Sequence, residues 1–263
     1  MKGFLLNKHL IGMVHVGPLP GTARSNHSFE HVIQQAVSEA KALENAGFGA
    51  ILFENMHDAP YLKSKVGPEI TAAMAVVGEE IKKATKLPLG VQILAGANEA
   101  ALAVAQAVGA DFIRVEGFVF SHVADEGFID SCAGNLLRLR KEIGGESIKI
   151  FADIKKKHSS HSITSDISIS ETAEAAQFFG ADGVIVTGSS TGRPASPEEL
   201  DAVKKTIKIP VLIGSGITPQ NITQFKDADG WIVGSFLKLS KDWRNAFDPH
   251  ALTEIVKAAT GIH

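Results

Sequence analysis

The chain has 263 residues, the length of one large α/β domain, and 44% of them are hydrophobic, enough for a substantial buried core. Its formal net charge of −3 argues against general binding to nucleic acid or to an anionic membrane, and its single cysteine, Cys132, excludes a disulfide framework and a cysteine zinc site. No apolar run reaches the roughly 18 residues of a membrane span, and Met1–Lys8 is too short in apolar residues for a signal peptide, so a cytoplasmic protein without stable membrane insertion is expected.

Apolar runs recur along the chain at a steady interval. Leu10–Val16, Ala50–Glu54, Leu89–Leu94, Phe112–Glu116, Ile148–Ile154, Val184–Thr187, Val211–Gly214 and Trp231–Gly234 read as eight strands. Most are continuously apolar and β-branched, as strands buried on both faces should be. Helical patterns lie between them, beginning with Ser28–Ala46, where Ser28 is the expected N-cap. Pro68–Thr85, Asn98–Val108, Asp130–Ile143, Ser168–Phe179, Pro197–Ile207, Pro219–Phe225 and Pro249–Ala259 follow. Gly47, Gly109, Gly180 and Gly230 stand where these helices stop and the next strands start, as left-handed caps would. Alternation of this kind gives βαβ units, and eight of them favour a closed (β/α)8 TIM barrel in a single domain, residues 1–263. A doubly wound open sheet is the alternative, but the turn after the first strand, Val14-His15-Val16-Gly17-Pro18-Leu19-Pro20-Gly21, lacks the Gly-x-Gly-x-x-Gly that such folds usually carry there.

In such a barrel the carboxyl ends of the strands face the active site. Read in order, those ends carry His15; Glu54, Asn55 and His57; Gln92; Arg114 and Glu116; Asp153, Lys155 and His158; Thr187; and then two Gly-Ser turns. The turns, Gly214-Ser215-Gly216 and Gly234-Ser235, follow the seventh and eighth strands, where barrels of this kind hold phosphate. Glycine lets backbone N–H groups approach an anion, although Gly-Ser after a strand is also ordinary turn chemistry. Glu116 and Asp153 each end an apolar run, so partial desolvation suits them to proton transfer; the competing role is pairing with Arg114 or Lys155 inside the barrel. Within Lys155-Lys156-Lys157, alternation with Asp153 selects Lys155 as the lysine for a Schiff base or a phosphate contact. His158, in the polar loop 158–167, is a further candidate. His15, Glu54, Glu116, Asp153 and His158 together offer donors for a divalent metal, but without local metal-ligand spacing. Thr187 and Gly188 open a third glycine turn that ends at Arg193. Gly17–His27 and Gly117–Phe128 read as lids, and Phe118 with Phe120 as the possible start of an apolar patch. Cys132 reads as a packing residue. A phosphorylated small-molecule ligand is thus expected, cofactor identity is unknown, and self-association into a homo-oligomer is left open.

Several segments together resemble the BtpA/SgcQ family over about residues 9–255: Gly12–Gly21, Phe53–Pro60, Phe112–Val115, Ala152–His158, Val186–Gly192, Gly214–Gly216 and Ile232–Lys238. The resemblance implies a phosphate-binding, ribulose-phosphate-binding-barrel-like TIM barrel. The family takes its name from a role in photosystem I biogenesis, which implies, as an alternative to an enzyme acting as isomerase, lyase or hydrolase, a non-catalytic stability factor for a membrane complex. The sequence departs from the commonest family pattern after the third strand (Gln92-Ile93-Leu94-Ala95-Gly96-Ala97 in place of Asn-Val-Leu-Arg-Asn-Asp) and after the fourth (Arg114-Val115-Glu116 in place of Arg-Val-Asn). Both changes fall at the expected site and imply a different substrate.

Overall fold

The computed structural model describes residues 9–188 and 194–262. Eight parallel strands close into a barrel: β1 (His9–His15), β2 (Ala50–Glu54), β3 (Leu89–Gln92), β4 (Phe112–Val115), β5 (Lys149–Ile154), β6 (Gly183–Val186), β7 (Val211–Ile213) and β8 (Gly230–Val233). Each strand pairs with its neighbours in sequence, and β1 closes the ring on β8 through Leu10 opposite Trp231 and Ile11 opposite Ile232. Side chains alternate between two cores. Ile11, Met13, Ala50, Leu52, Phe112, Phe151, Ile185, Leu212 and Ile232 fill the barrel interior, while Val14, Phe53, Val91, Ile113, Ile150 and Val184 pack outward beneath the helices.

The helices are α1 (Phe29–Ala46), α2 (Pro68–Ala84), α3 (Asn98–Val108), α4 (Ala133–Glu142), α5 (Ile169–Phe178), α6 (Pro197–Thr206) and α7 (Pro249–Thr260). Ser28 caps α1 as expected by accepting from the His31 amide, and Gly47, Gly109 and Gly180 all have positive φ. Gly230 differs, lying inside β8 rather than capping a helix. The helix expected over Pro219–Phe225 is only a 3-10 turn, Ile222–Phe225. Asn221 diverts the segment: its side chain accepts from the Thr218 amide and donates to the Gly216 carbonyl, competing with helical bonds.

Above the carboxyl ends, three short antiparallel strands, His122–Ala124, Gly127–Ile129 and Ser159–Ser160, join the loops after β4 and β5 into one small sheet. The second half of the segment expected as a lid, Gly117–Phe128, is therefore a hydrogen-bonded hairpin. Phe118 is fully buried in the core, so it begins no surface patch, whereas Phe120, Val123 and Phe128 are exposed. Among the described residues, no helix is long and apolar enough to cross a membrane.

Candidate active site at the carboxyl ends of the strands

Two cavities open side by side over the carboxyl ends of the barrel. One, of about 130 Å³, is bounded by the turns after β7 and β8, with Gly214, Ser215, Gly216, Gly234, Ser235 and Lys241 on one side and His15 on the other. The second, of about 240 Å³, reaches from Gln92 and Glu116 to Glu126, Lys156, His158 and Trp243. Glu54, Met56, Arg114 and Lys157 line both, so they stand at the junction.

The two turns expose backbone amides to the smaller cavity. Gly216 has a φ of 65° and its carbonyl is held by the Asn221 side chain, which fixes the direction of the loop. No hydrogen bond among the described residues uses the amides of Gly216, Ser235 or Phe236. A β-carbon on Gly234 would lie 3.3 Å from His15 Nε2, a tight contact that the imidazole would have to yield to. The segment after Ser235 is anchored from below by Lys238, whose ammonium meets Glu39 of α1 at 2.6 Å in a buried ion pair. Thr187 and Gly188 are buried beside this end, and Thr187 Oγ1 has no hydrogen-bond partner among the described residues. Arg193 and the remainder of the third glycine turn lie outside the described residues.

The charged residues at the strand ends form a paired array. Arg114 donates to both oxygens of Asp153, from Nε at 3.0 Å and Nη2 at 2.9 Å, a buried bidentate pair that fixes both groups. Glu116 receives Gln92 Nε2 at 3.2 Å and lies 3.4 Å from the Lys156 ammonium, which is also 4.0 Å from Glu126. The Glu116 backbone is held by Asn98 through both its N–H and its carbonyl. Burial raises the Glu116 carboxyl above its ordinary range, with Lys156 opposing. Glu54 is fully enclosed, and burial pushes its carboxyl up to about 7 against the pull of Arg114 and Lys157. His15 is driven the other way: burial, then Lys238 and His57, lower it to about 3, so it is a neutral imidazole at physiological pH.

His15, Glu54, Gln92, Arg114 and Glu116 thus gather around the two cavities, with Asp153 held against Arg114 and lining a smaller neighbouring cleft. Lys155 is a correction. Its φ of 51° breaks the strand alternation, and its ammonium donates to the Thr164 and Ile167 carbonyls in the loop after β5. Lys156 and Lys157 take the inward places instead. His158 is exposed at the outer rim. The expected metal set does not assemble either: no group of three or more His, Cys, Asp or Glu side chains among the described residues is arranged to hold a metal ion, because Asp153 and Glu116 turn to Arg114 and Lys156. Cys132 receives Asn98 Nδ2 at 3.2 Å, and burial pushes its thiol up to about 11, which suits packing rather than reactivity.

Trp243 and Asp58, which the strand ends do not carry, complete the site together with His57 and Asn55. Trp243 sits edge-on to the His57 ring at 4.8 Å and under Arg244 at 4.7 Å, walling the larger cavity. Asn55 donates to Asp58 and accepts from the Leu94 amide, and Asp58 accepts from the Leu19 amide. One buried pair thereby braces the loops after β1, β2 and β3.

The chain matches the BtpA family over residues 6–261. It belongs to the BtpA family. A mitochondrial protein of Caenorhabditis elegans, F13E9.13, is 48% identical over 94% of this chain and 91% of that protein. The photosystem I biogenesis protein BtpA of Synechocystis is 35% identical over 97% of this chain and 89% of that protein. Among solved structures, this BtpA-family barrel resembles thiamine phosphate pyrophosphorylase from Pyrococcus furiosus (TM-score 0.61, 19% identity, 98% of this chain and 99% of that one). It also resembles (S)-3-O-geranylgeranylglyceryl phosphate synthase from Thermoplasma acidophilum in complex with sn-glycerol-1-phosphate (TM-score 0.61, 18% identity, 97% and 94%). At such identities these likenesses establish the fold alone.

Proposed function

We propose that this protein is an enzyme, an isomerase or lyase, acting on a small phosphorylated metabolite whose phosphate rests between the Gly214–Gly216 and Gly234–Ser235 turns. The observation that carries this reading is the lining that the two adjacent cavities share. Amides at one end and an array of buried acids and bases at the other share a wall made of Glu54, Arg114 and Lys157. The phosphorylated ligand in the Thermoplasma neighbour supports it by analogy of fold. With the phosphate fixed, the rest of the ligand extends over Arg114 towards Glu116 and Gln92. Glu54, with a carboxyl near 7, is poised to give or take a proton at neutral pH. The Arg114–Asp153 pair supplies an electrostatic floor for charge that develops on a substrate oxygen.

Inorganic phosphate tests this reading directly, because a ligand that binds only the folded chain raises its melting temperature. Wild-type protein is expected to be stabilised by millimolar phosphate. Ser235→Asp, which places a carboxylate in the cradle, is expected to weaken phosphate binding at least ~10-fold through like-charge repulsion. Equal phosphate affinity in the two proteins removes the cradle assignment.

A further inference from the structure

We infer that Lys157 is an amine nucleophile that forms an imine with the carbonyl carbon of a phosphorylated aldehyde or ketone held at the junction of the two cavities. This rests on the phosphate assignment above and names the class of molecule it serves.

Four cations cluster at the carboxyl ends of β4 and β5, and three are committed. Arg114 is bound twice by Asp153, Lys156 lies against Glu116 and Glu126, and Lys155 is tied to two loop carbonyls. Lys157 differs: its ammonium has neither a hydrogen bond nor an ion pair among the described residues, yet the side chain lines both cavities. It therefore stands between the phosphate turns and the acid–base array, facing whatever carbon follows the phosphate of a bound ligand. Its surroundings favour the neutral amine. Burial, then the Arg114 guanidinium, draw it below the ordinary lysine range, while Glu54, Asp153 and Glu116 pull the other way. Lysines are made nucleophilic in this manner, by burial beside another cation.

The step balances with groups already at the junction. The Lys157 lone pair forms a C–N bond as the carbonyl π pair moves onto oxygen, which takes the proton of the neutral Glu54 carboxyl. A nitrogen proton returns to Glu54. The carbinolamine oxygen then takes that proton and leaves as water while the nitrogen lone pair closes the C=N bond. Amine, carbonyl and carboxylic acid become iminium, water and carboxylate, with no oxidant or reductant. An iminium at this point acidifies the adjacent C–H and weakens the C–C bond beyond it, which is the chemistry an isomerase or a lyase requires.

The test uses the intact protein with glycolaldehyde phosphate, a small molecule bearing both a phosphate and an aldehyde, and borohydride, which reduces an imine to a stable secondary amine. Peptide mapping is expected to place a single adduct on Lys157, formed roughly ten times faster than on any surface lysine because the phosphate positions the aldehyde. Excess inorganic phosphate is expected to suppress it, and Lys157→Met to abolish it while the melting temperature still rises with phosphate. An adduct on Lys155 or Lys156, or labelling spread over surface lysines and indifferent to phosphate, overturns the proposal. So does the absence of an adduct while phosphate still stabilises the protein; in that case the cradle stands and Lys157 is only a charge. If phosphate neither stabilises the protein nor competes, the phosphate assignment falls as well.

Discussion

At the scale of single residues, the site is governed by how few charges are left to water. Glu54 sits at the end of β2 among Arg114, Lys157, Glu116 and Asp153, and burial dominates, lifting its carboxyl from the ordinary 4.5 to about 7. A carboxyl raised in the folded state binds its proton more tightly there than in the unfolded chain. Its contribution to stability is complete below about pH 4.5 and is lost as the pH rises through about 7. His15 acts in the opposite sense: lowered from 6.5 to about 3, it takes stability away as the pH falls through that interval. Glu54→Gln removes the first effect and leaves the second. The variant is therefore expected to gain stability relative to wild type between pH 5 and pH 8, by up to about 3 kcal/mol if the whole shift is expressed. Urea denaturation at the two pH values measures it, and a gain independent of pH contradicts the assignment. The same residue bears on legibility. Glu54 and Glu116 were visible because each ends an apolar run, and Arg114 because it stands two residues before Glu116 on the same strand. Lys157 was not, because strand alternation pointed to Lys155, and only the positive φ values at Lys155 and His158 reveal that the chain turns out of its pleat there. A single residue in the left-handed region exchanges inward for outward, and a lysine carries no sequence mark of that conformation.

At the scale of elements, the barrel strands were readable because each is buried on both faces and so is apolar throughout, a signal independent of exact register. The small sheet over the barrel was not. Its strands have two or three residues each, and its exposed Val123 and Phe128 break the inside–outside pattern. Yet this sheet ties the loop after β4 to the loop after β5, and the turn between its first two strands carries Asp125 and Glu126 to the rim of the larger cavity. Glu126 and Glu116 both lie within 4.0 Å of the Lys156 ammonium, so the sheet holds one wall of the site. Its weak point is Gly127, with a φ of 105° that a β-branched side chain rarely adopts. Gly127→Val is expected to cost about 1–3 kcal/mol locally. Because the sheet packs above the barrel, the loss should appear as faster hydrogen exchange at residues 122–129 and 159–160, with little change in the strands beneath. Uniform acceleration across the barrel would show that sheet and barrel unfold as one unit.

At the scale of the whole molecule, the barrel divides its labour along its axis. The interior is filled by apolar side chains, among them the rings of Phe112 and Phe151, packed edge to face at 5.6 Å, while the charged array occupies the level above. The two rings fit because the neighbouring strands place glycine beside them: Gly90 against Phe112 and Gly183 against Phe151. A β-carbon on Gly183 would stand 2.6 Å from the Phe151 ring and 3.0 Å from the Pro210 carbonyl, with backbone on one side and a locked aromatic on the other. Gly183 opens β6, so it lies at the amino end of the barrel, remote from the cavities at the carboxyl ends. Residues at that end of a barrel serve stability, whereas those at the other end serve chemistry. Gly183→Ala is therefore expected to lower stability by about 1–3 kcal/mol through overpacking. Phosphate should bind the folded variant with the affinity of the wild-type protein, so the increment in melting temperature that saturating phosphate confers should persist on a lower baseline. Denaturation with and without phosphate separates the two quantities. A fall in phosphate affinity that accompanies the fall in stability would mean that the Phe151 layer positions Asp153, two residues along the same strand, and through it Arg114, so that the amino end of the barrel is coupled to the site.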